Sequence, residues 1–316
     1  MNIITMIQND KEITSCKFPK ISIIVATYRR KETLEKALQS LITQTYSNFE
    51  IIVVDDNADA NWNIEVEKIV NSIKSSGGIG IIYVKNKNNK GSAETRNIGI
   101  KKATGEYVTF LDDDDLYLPD KIKKQVEHMI KEGSDFSLTD LWLYDEKGKL
   151  IEKRLRDYIK DYSSDSLIKY NLMYHMTGTD VMMFKKNYLT DIGMFSKINI
   201  GDEFYLMQKA IECKGIFSYL PGCEVKAYVH SETDGLSSGD GKIKGENELY
   251  ECKKKYFNML TNKQIRFIEM RHYAVLAFAE LRRKNRMKSL YFVIKSFLSS
   301  PLNLINIVIK TAFNRF

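Results

Sequence analysis

Four acids in a row, Asp112-Asp113-Asp114-Asp115, stand directly after the apolar stretch EYVTFL and shortly before Pro119. Adjacent carboxylates repel one another, and at ~5 Å each pair costs on the order of 1 kcal/mol, less where water screens it, so something positive should compensate. Hard carboxylate oxygens suit a divalent ion, Mn2+ or Mg2+, that itself bridges the oxygens of a diphosphate. Taken alone, such a turn is more often a solvated acidic loop capping the next helix, and by itself it proves little.

Three other strand ends carry matching groups. Thr27 and Tyr28 close the first apolar run, and Asp55 and Asp56 close the second. A carboxylate there can accept the imide proton of a nucleobase while a threonine holds the base edge; the acids also suit capping of the helix that follows. The third run leads to Asn89-Lys90-Gly91 and then Arg96. Glycine lets backbone approach a ligand, and the arginine fork suits a phosphate or the ribose side. Together these groups suit one nucleotide.

The elements that must hold them are legible. ISIIVA (Ile21–Ala26), EIIVVD (Glu50–Asp55), IGIIYV (Ile79–Val84) and EYVTFL (Glu106–Leu111) are apolar on both faces, as strands of a covered parallel sheet are. KETLEKALQSLITQ, NIEVEKIVNSIKSS and SAETRNIGIKKAT lie between them with helical periodicity. Repeated β-α-β units predict a doubly wound, Rossmann-like, mostly parallel sheet flanked by helices, with ligands at the carboxyl ends of the strands. Farther on, the pattern predicts a helix over Pro119–Glu132, strands near Phe136–Tyr144 and Asp180–Phe184, a helix over Glu203–Glu212, and strands near Gly215–Leu220 and Val225–His230. The Gly/Ser/Asp-rich stretch Ser231–Gly245 reads as a flexible loop or lid, and helices follow almost throughout.

The ordered set SIIVATYRR, FEIIVVDDN, NKGSAETRNIGI, GEYVTFLDDDDLYLPD and GDEFYLMQKA, spread over about residues 21–230, resembles the family 2 glycosyltransferases of the GT-A fold. The resemblance implies a GT-A catalytic domain over 21–244, with a nucleotide-binding half (about 21–115) and an acceptor half (about 116–244). An N-terminal extension (1–20) precedes it and a helical C-terminal extension (245–316) follows. By similarity Thr27 and Asp56 hold the base, Arg96 assists the nucleotide, Asp112 or Asp113 faces ribose or sugar, and Asp114 binds the metal. The family's catalytic base, an Asp that deprotonates the acceptor hydroxyl, maps to Asp202, with Glu203 the alternative because Gly201 replaces the usual acid. His230 resembles a downstream His that adds a metal or phosphate contact. Arg29, Thr95 and Asp113 depart from the usual Asn, Ala and small residue.

The activity so implied is inverting transfer of a hexosyl or N-acetylhexosaminyl group from a nucleotide-diphosphate sugar, by default a UDP-sugar. The acceptor is a hydroxyl of a bacterial surface polysaccharide, lipid-linked oligosaccharide or glycoprotein glycan; few Pro and many Lys, Ile and Asn fit an AT-rich bacterial source. Two rivals remain. A nucleotidyltransferase shares the sheet and acids, but ATYRRKET has no glycine-rich phosphate loop. A non-catalytic glycan- or partner-binding descendant has no need of the retained acids. An NAD-dependent enzyme lacks its G-x-G-x-x-G turn.

Cys16, Cys213, Cys223 and Cys252 include no C-x-x-C pair, which argues against a zinc ribbon and a disulfide framework. The first residues have no secretory pattern and no uncharged apolar stretch reaches about 18 residues, so a cytoplasmic protein is expected. The formal charge of +7 resides in the tail, where residues 263–316 hold eleven Lys and Arg against Glu269 and Glu280. Those cations alternate with apolar positions rather than stacking aromatics, which disfavours nucleic acid. Either the tail is an in-plane anchor on the anionic inner face of the plasma membrane, or its helices pack on the catalytic domain or in a homodimer.

Overall fold

The computed structural model describes residues 18–198, 200–229 and 239–313. The first part alternates as the sequence predicts: β1 (Ile21–Thr27), α1 (Glu32–Ile42), β2 (Phe49–Asp55), α2 (Ala60–Gly77), β3 (Gly80–Lys85), α3 (Ser92–Lys102) and β4 (Tyr107–Asp112). Helix α2 is capped by Asp59, whose side chain accepts from the amides of Asn61 and Trp62; Asp55 and Asp56 take no part in capping. Strand β3 lies at the sheet edge and is half-exposed, unlike fully buried β2.

The second part contributes β5 (Leu116–Tyr117), α4 (Lys121–Glu132), β6 (Phe136–Thr139), β7 (Leu141–Asp145), β8 (Leu150–Arg154) and α5 (Ser164–Tyr174). Then come β9 (Met182–Lys185), α6 (Lys186–Asp191), α7 (Asp202–Glu212), β10 (Phe217–Leu220) and β11 (Val225–Val229). Seven strands form the main sheet in the order β10-β6-β9-β4-β1-β2-β3, parallel except for β9, which runs against both neighbours. A second sheet has the order β5-β11-β7-β8.

Two elements differ from the expectation. The single strand near Phe136–Tyr144 is two strands in different sheets, split at Asp140. That buried carboxylate accepts from the Arg156 amide (2.8 Å), the Tyr219 hydroxyl (2.6 Å) and the Gly222 amide (2.9 Å), so the chain turns about it. Residues 231–238 of the expected lid lie outside the described residues, but 239–245 begin helix α8 (Gly239–Lys254). Gly245 lets that helix rest on Ile200, where an added Cβ would come within 2.6 Å of side-chain carbon.

Helices α9 (Asn262–Arg282), α10 (Arg286–Ser299) and α11 (Pro301–Phe313) complete the chain. A capping box at Thr261 and Gln264 starts α9, and Pro301 occupies the first position of α11, where its missing N–H costs nothing. No single helix among the described residues is long and apolar enough to cross a membrane. The described cysteines Cys213, Cys223 and Cys252 are unpaired.

Candidate active site

Parallel pairing sets the site. Thr27 stands opposite Asp55 and Ala26 opposite Asp112, so the polar ends of β1, β2 and β4 form one row at the carboxyl edge. Helix α3 crosses behind that row. It is preceded by Gly91, whose φ of +79° favours glycine, and Gly99 lies so close to β1 that a Cβ would meet Ile24 at 2.5 Å.

This close packing places Arg96 at the centre, only 8% exposed. Its fork donates to Asp112 Oδ1 at 2.7 Å through one terminal nitrogen and to Asp202 Oδ2 at 2.8 Å through the other. Burial opposes the guanidinium charge, but Asp112 and Asp202 outweigh it and hold the group cationic. One turn position later, Asn97 grips the backbone of Phe195 in both directions at 2.9 Å, fixing the segment that leads to Asp202.

The acidic turn is shared between two arginines. Arg30 donates to Asp114 at 3.1 Å and lies 4.0 Å from Asp113, which also accepts the Tyr28 amide at 3.2 Å. Burial, with Asp114 adding repulsion, pushes the Asp113 carboxyl up to about 7. The carboxylate oxygens that converge within 4.8 Å belong to Asp112, Asp115 and Asp180, whereas Asp114 is engaged by Arg30. Asp180 accepts the Asp112 amide at 2.7 Å, and Asp115 accepts the Tyr228 amide at 2.7 Å. Burial raises Asp115 well above its usual range and Asp180 to about 7, each aided by neighbouring acids. Converging hard oxygens with raised affinities for protons are a donor set that fits a divalent cation of the Mg2+ or Mn2+ type.

Sequence reasoning missed Asp180, because only the antiparallel pairing of β9 with β4 brings it under the turn. It also missed Lys121, a residue only 1% exposed, whose ammonium donates to Tyr117 at 2.7 Å and to Thr109. Burial pushes this amine well below its usual range. Its place in the first turn of α4 gave no signal, since a lysine there is usually solvated.

Asp56 is spent largely on its own surroundings. Oδ1 accepts from the Asn86 side chain and the Lys90 amide, both at 2.8 Å, and Oδ2 accepts the Gly91 amide at 2.9 Å. Asn89 donates to the Asp56 carbonyl at 3.2 Å. The acid therefore moulds the loop over Asn89 and Gly91 that launches α3, and any base contact would be additional. Thr27 is buried, whereas Tyr28 is 44% exposed with the Arg29 guanidinium 5.2 Å from its ring.

Asp202 and Glu203 open α7 after Gly201, whose φ of +76° explains a glycine where the related families' acid is expected. Their surroundings differ. Asp202 is 6% exposed, and burial pushes its carboxyl up to about 7 against the pull of Arg96. Glu203 accepts from His175 Nε2 at 3.2 Å; although burial would raise it, this bond holds it below its usual range. His175 itself caps α5 with φ +52°, an uncommon conformation for a non-glycine residue beside a candidate site. Sequence reasoning did not find it. His230 lies outside the described residues.

Comparison with known proteins supplies the family and the type of fold. Residues 22–190, more than half of the chain, match the profile of glycosyl transferase family 2. An Escherichia coli protein named UDP-Glc:alpha-D-GlcNAc-diphosphoundecaprenol beta-1,3-glucosyltransferase WfaP is 40% identical over 124 residues, which cover 39% of this chain and 46% of that one. An uncharacterized glycosyltransferase of Rickettsia felis is 37% identical over 133 residues, or 42% of this chain and 21% of its own. The match thus spans about a fifth of the Rickettsia protein and under half of the E. coli one. Among solved structures, S. aureus TarS 1-349 in complex with UDP-GlcNAc superposes with a TM-score of 0.57 at 17% identity, covering 90% of this chain and 92% of that one. Mannosyltransferase PcManGT from Pyrobaculum calidifontis, in complex with GDP-Man and Mn2+, gives 0.57 at 13% identity, covering 95% and 94%. These neighbours establish the GT-A type of fold. The chain belongs to glycosyl transferase family 2.

Proposed function

We propose that this glycosyltransferase is an inverting enzyme that moves a hexosyl or N-acetylhexosaminyl group from a UDP-sugar to a hydroxyl, with Asp202 as the base. One observation carries the reading: a single buried guanidinium, Arg96, ties Asp202 to Asp112 of the acidic turn. The proton acceptor and the donor-side acids are thereby held at a fixed separation, as a direct displacement requires.

The acceptor hydroxyl gives its proton to the Asp202 carboxylate while its oxygen attacks the anomeric carbon. The bond from that carbon to the diphosphate breaks, the nucleoside diphosphate leaves with the electron pair, and attack from the opposite face inverts the configuration. Arg96 keeps its bond to Asp112 as Asp202 becomes neutral, so the buried cation is never left without a counter-charge. A carboxyl near 7 is matched to this task, and Glu203, held ionised by His175, is not.

Asp112, Asp115 and Asp180, together with Asp114 in exchange for its bond to Arg30, would hold a divalent cation, Mn2+ or Mg2+, and the ion would supply charge neutralisation for the leaving diphosphate. Thr27, Tyr28, the Asn89–Gly91 loop and Asp113 line the nucleotide side. UDP is favoured because the E. coli relative is named for UDP-Glc and the S. aureus neighbour holds UDP-GlcNAc. That relative's diphosphoundecaprenol acceptor favours a lipid-linked oligosaccharide over a surface polysaccharide or glycoprotein glycan, and a cytoplasmic setting where nucleotide sugars are available.

The test is a panel of nucleotide sugars scored for thermal shift and slow hydrolysis with and without Mn2+, repeated on Asp202→Asn. UDP and Mn2+ are expected to raise Tm together, and one UDP-sugar is expected to be hydrolysed by the wild type only. Turnover by Asp202→Asn equal to wild type removes Asp202 from the mechanism.

A further inference from the structure

Helix α10 is packed inside out. Its buried positions are Ser289 and Ser296, seven residues apart, whose hydroxyls donate at 2.8 Å to the α9 carbonyls of Ala277 and Met270. Its opposite side exposes Met287, Leu290, Tyr291, Ile294, Phe297 and Leu298, each between 46% and 78%. Spacings of three and four residues make these one continuous face. An ordinary surface helix turns the apolar stripe inward and the serines outward. Helix α11 extends the exposure with Leu302, Ile305, Val308 and Ile309.

The charges around this face have one sign. From residue 278 to 313 the sequence has seven Lys and Arg, and its one acid, Glu280, is 3% exposed and 3.5 Å from Arg283. Arg286 lies on one flank of the α10 stripe, with Lys288 and Lys295 on the other. The Lys295 ammonium rests 4.8 Å from the Tyr291 ring centre, and Arg282 rests 4.8 Å over Phe278. Cations seated at the edge of an apolar face can extend to headgroups while their stems stay on the rings. The α10 and α11 axes are bent by 113° at Ser300, so the pair makes no straight rod across a bilayer, and two axes meeting at one joint share a plane.

We propose that α10 and α11 dock in the plane of an anionic lipid surface, with the apolar stripe in the acyl boundary and the flanking cations among the headgroups. A second copy of this chain is the poorer occupant, because a symmetric contact through the face sets cations against cations with no exposed acid among residues 278–313 to neutralise them. The docking holds the catalytic domain at the membrane, goes beyond the reading of the active site, and does not depend on it.

Flotation of the full chain with vesicles of phosphatidylcholine alone, or with 30 mol % phosphatidylglycerol by design, tests this, with light scattering in solution beside it. The wild type is expected to float with anionic vesicles, to float at least about tenfold less with neutral ones or in high salt, and to be monomeric without lipid. Leu298→Glu with Leu302→Glu, and separately Arg286→Glu with Lys288→Glu, are expected to remain in the soluble fraction with unchanged melting temperature and donor hydrolysis. Flotation of either pair equal to wild type overturns the proposal. So does equal recovery on neutral and anionic vesicles, or a wild-type dimer that Leu298→Glu with Leu302→Glu dissociates.

Discussion

The acidic turn and the C-terminal helices both break the rule that a stable chain leaves little uncompensated, but they break it differently. Around Asp112–Asp115 the surplus is charge, and the fold supplies its own partners: Arg96 on one side, Arg30 on the other. On α10 and α11 the surplus is apolar surface, and among the described residues nothing in the chain covers it. Charge acts through ångström-scale geometry and can be held in reserve by a neighbouring arginine, whereas apolar area is relieved only by something broad enough to exclude water. The first region is therefore prepared for a small ligand and the second for an extended surface.

The largest effect is expected at Asp202→Asn, which leaves the fork of Arg96 a neutral partner and removes the proton acceptor. We expect kcat to fall about 10^2- to 10^4-fold with donor KM little changed, measured by coupled release of nucleoside diphosphate. Arg96→Leu strips the compensation itself. Leaving Asp112 and Asp202 without their cation costs about 3–5 kcal/mol, read as a lower urea midpoint, and Arg96→Lys restores little because an ammonium cannot fork to two carboxylates. A midpoint for Arg96→Leu equal to wild type would show that the acids need no such partner.

Gly99→Ala tests the support beneath that arginine. An added methyl would meet Ile24 at 2.5 Å, so about 1–3 kcal/mol of stability should be lost in denaturant titration. The pH profile sharpens the contrast between the two acids of α7. Asp202 must be ionised to act, and burial pushes it up to about 7, so kcat/KM should fall as pH drops through that value. The Glu203 charge adds to the push, so Glu203→Gln should move this limb to lower pH; an unmoved limb would assign it to another group. The smallest effect belongs to the other region, where Leu298→Glu with Leu302→Glu should change unfolding free energy by no more than about 0.5 kcal/mol, because neither side chain packs against the fold.

The sequence by itself determined the alternation of the first four strands and three helices, the row of polar strand ends and the helical tail. Each follows from local periodicity or from parallel pairing that places consecutive strand ends on one edge. It also marked Asp202 and Arg96 as site residues, but not that one guanidinium joins Asp202 to Asp112, since residues 96, 112 and 202 come from three separate elements. Only the tertiary structure brought in Asp180, through a strand running against its neighbours, and gave Asp202 and Glu203 different surroundings through His175. The tail shows the same division. Its apolar spacing was readable, but which side of α10 faces the protein was decided by Ser289 and Ser296 bonding to α9, because periodicity defines a stripe and only packing decides which way it faces.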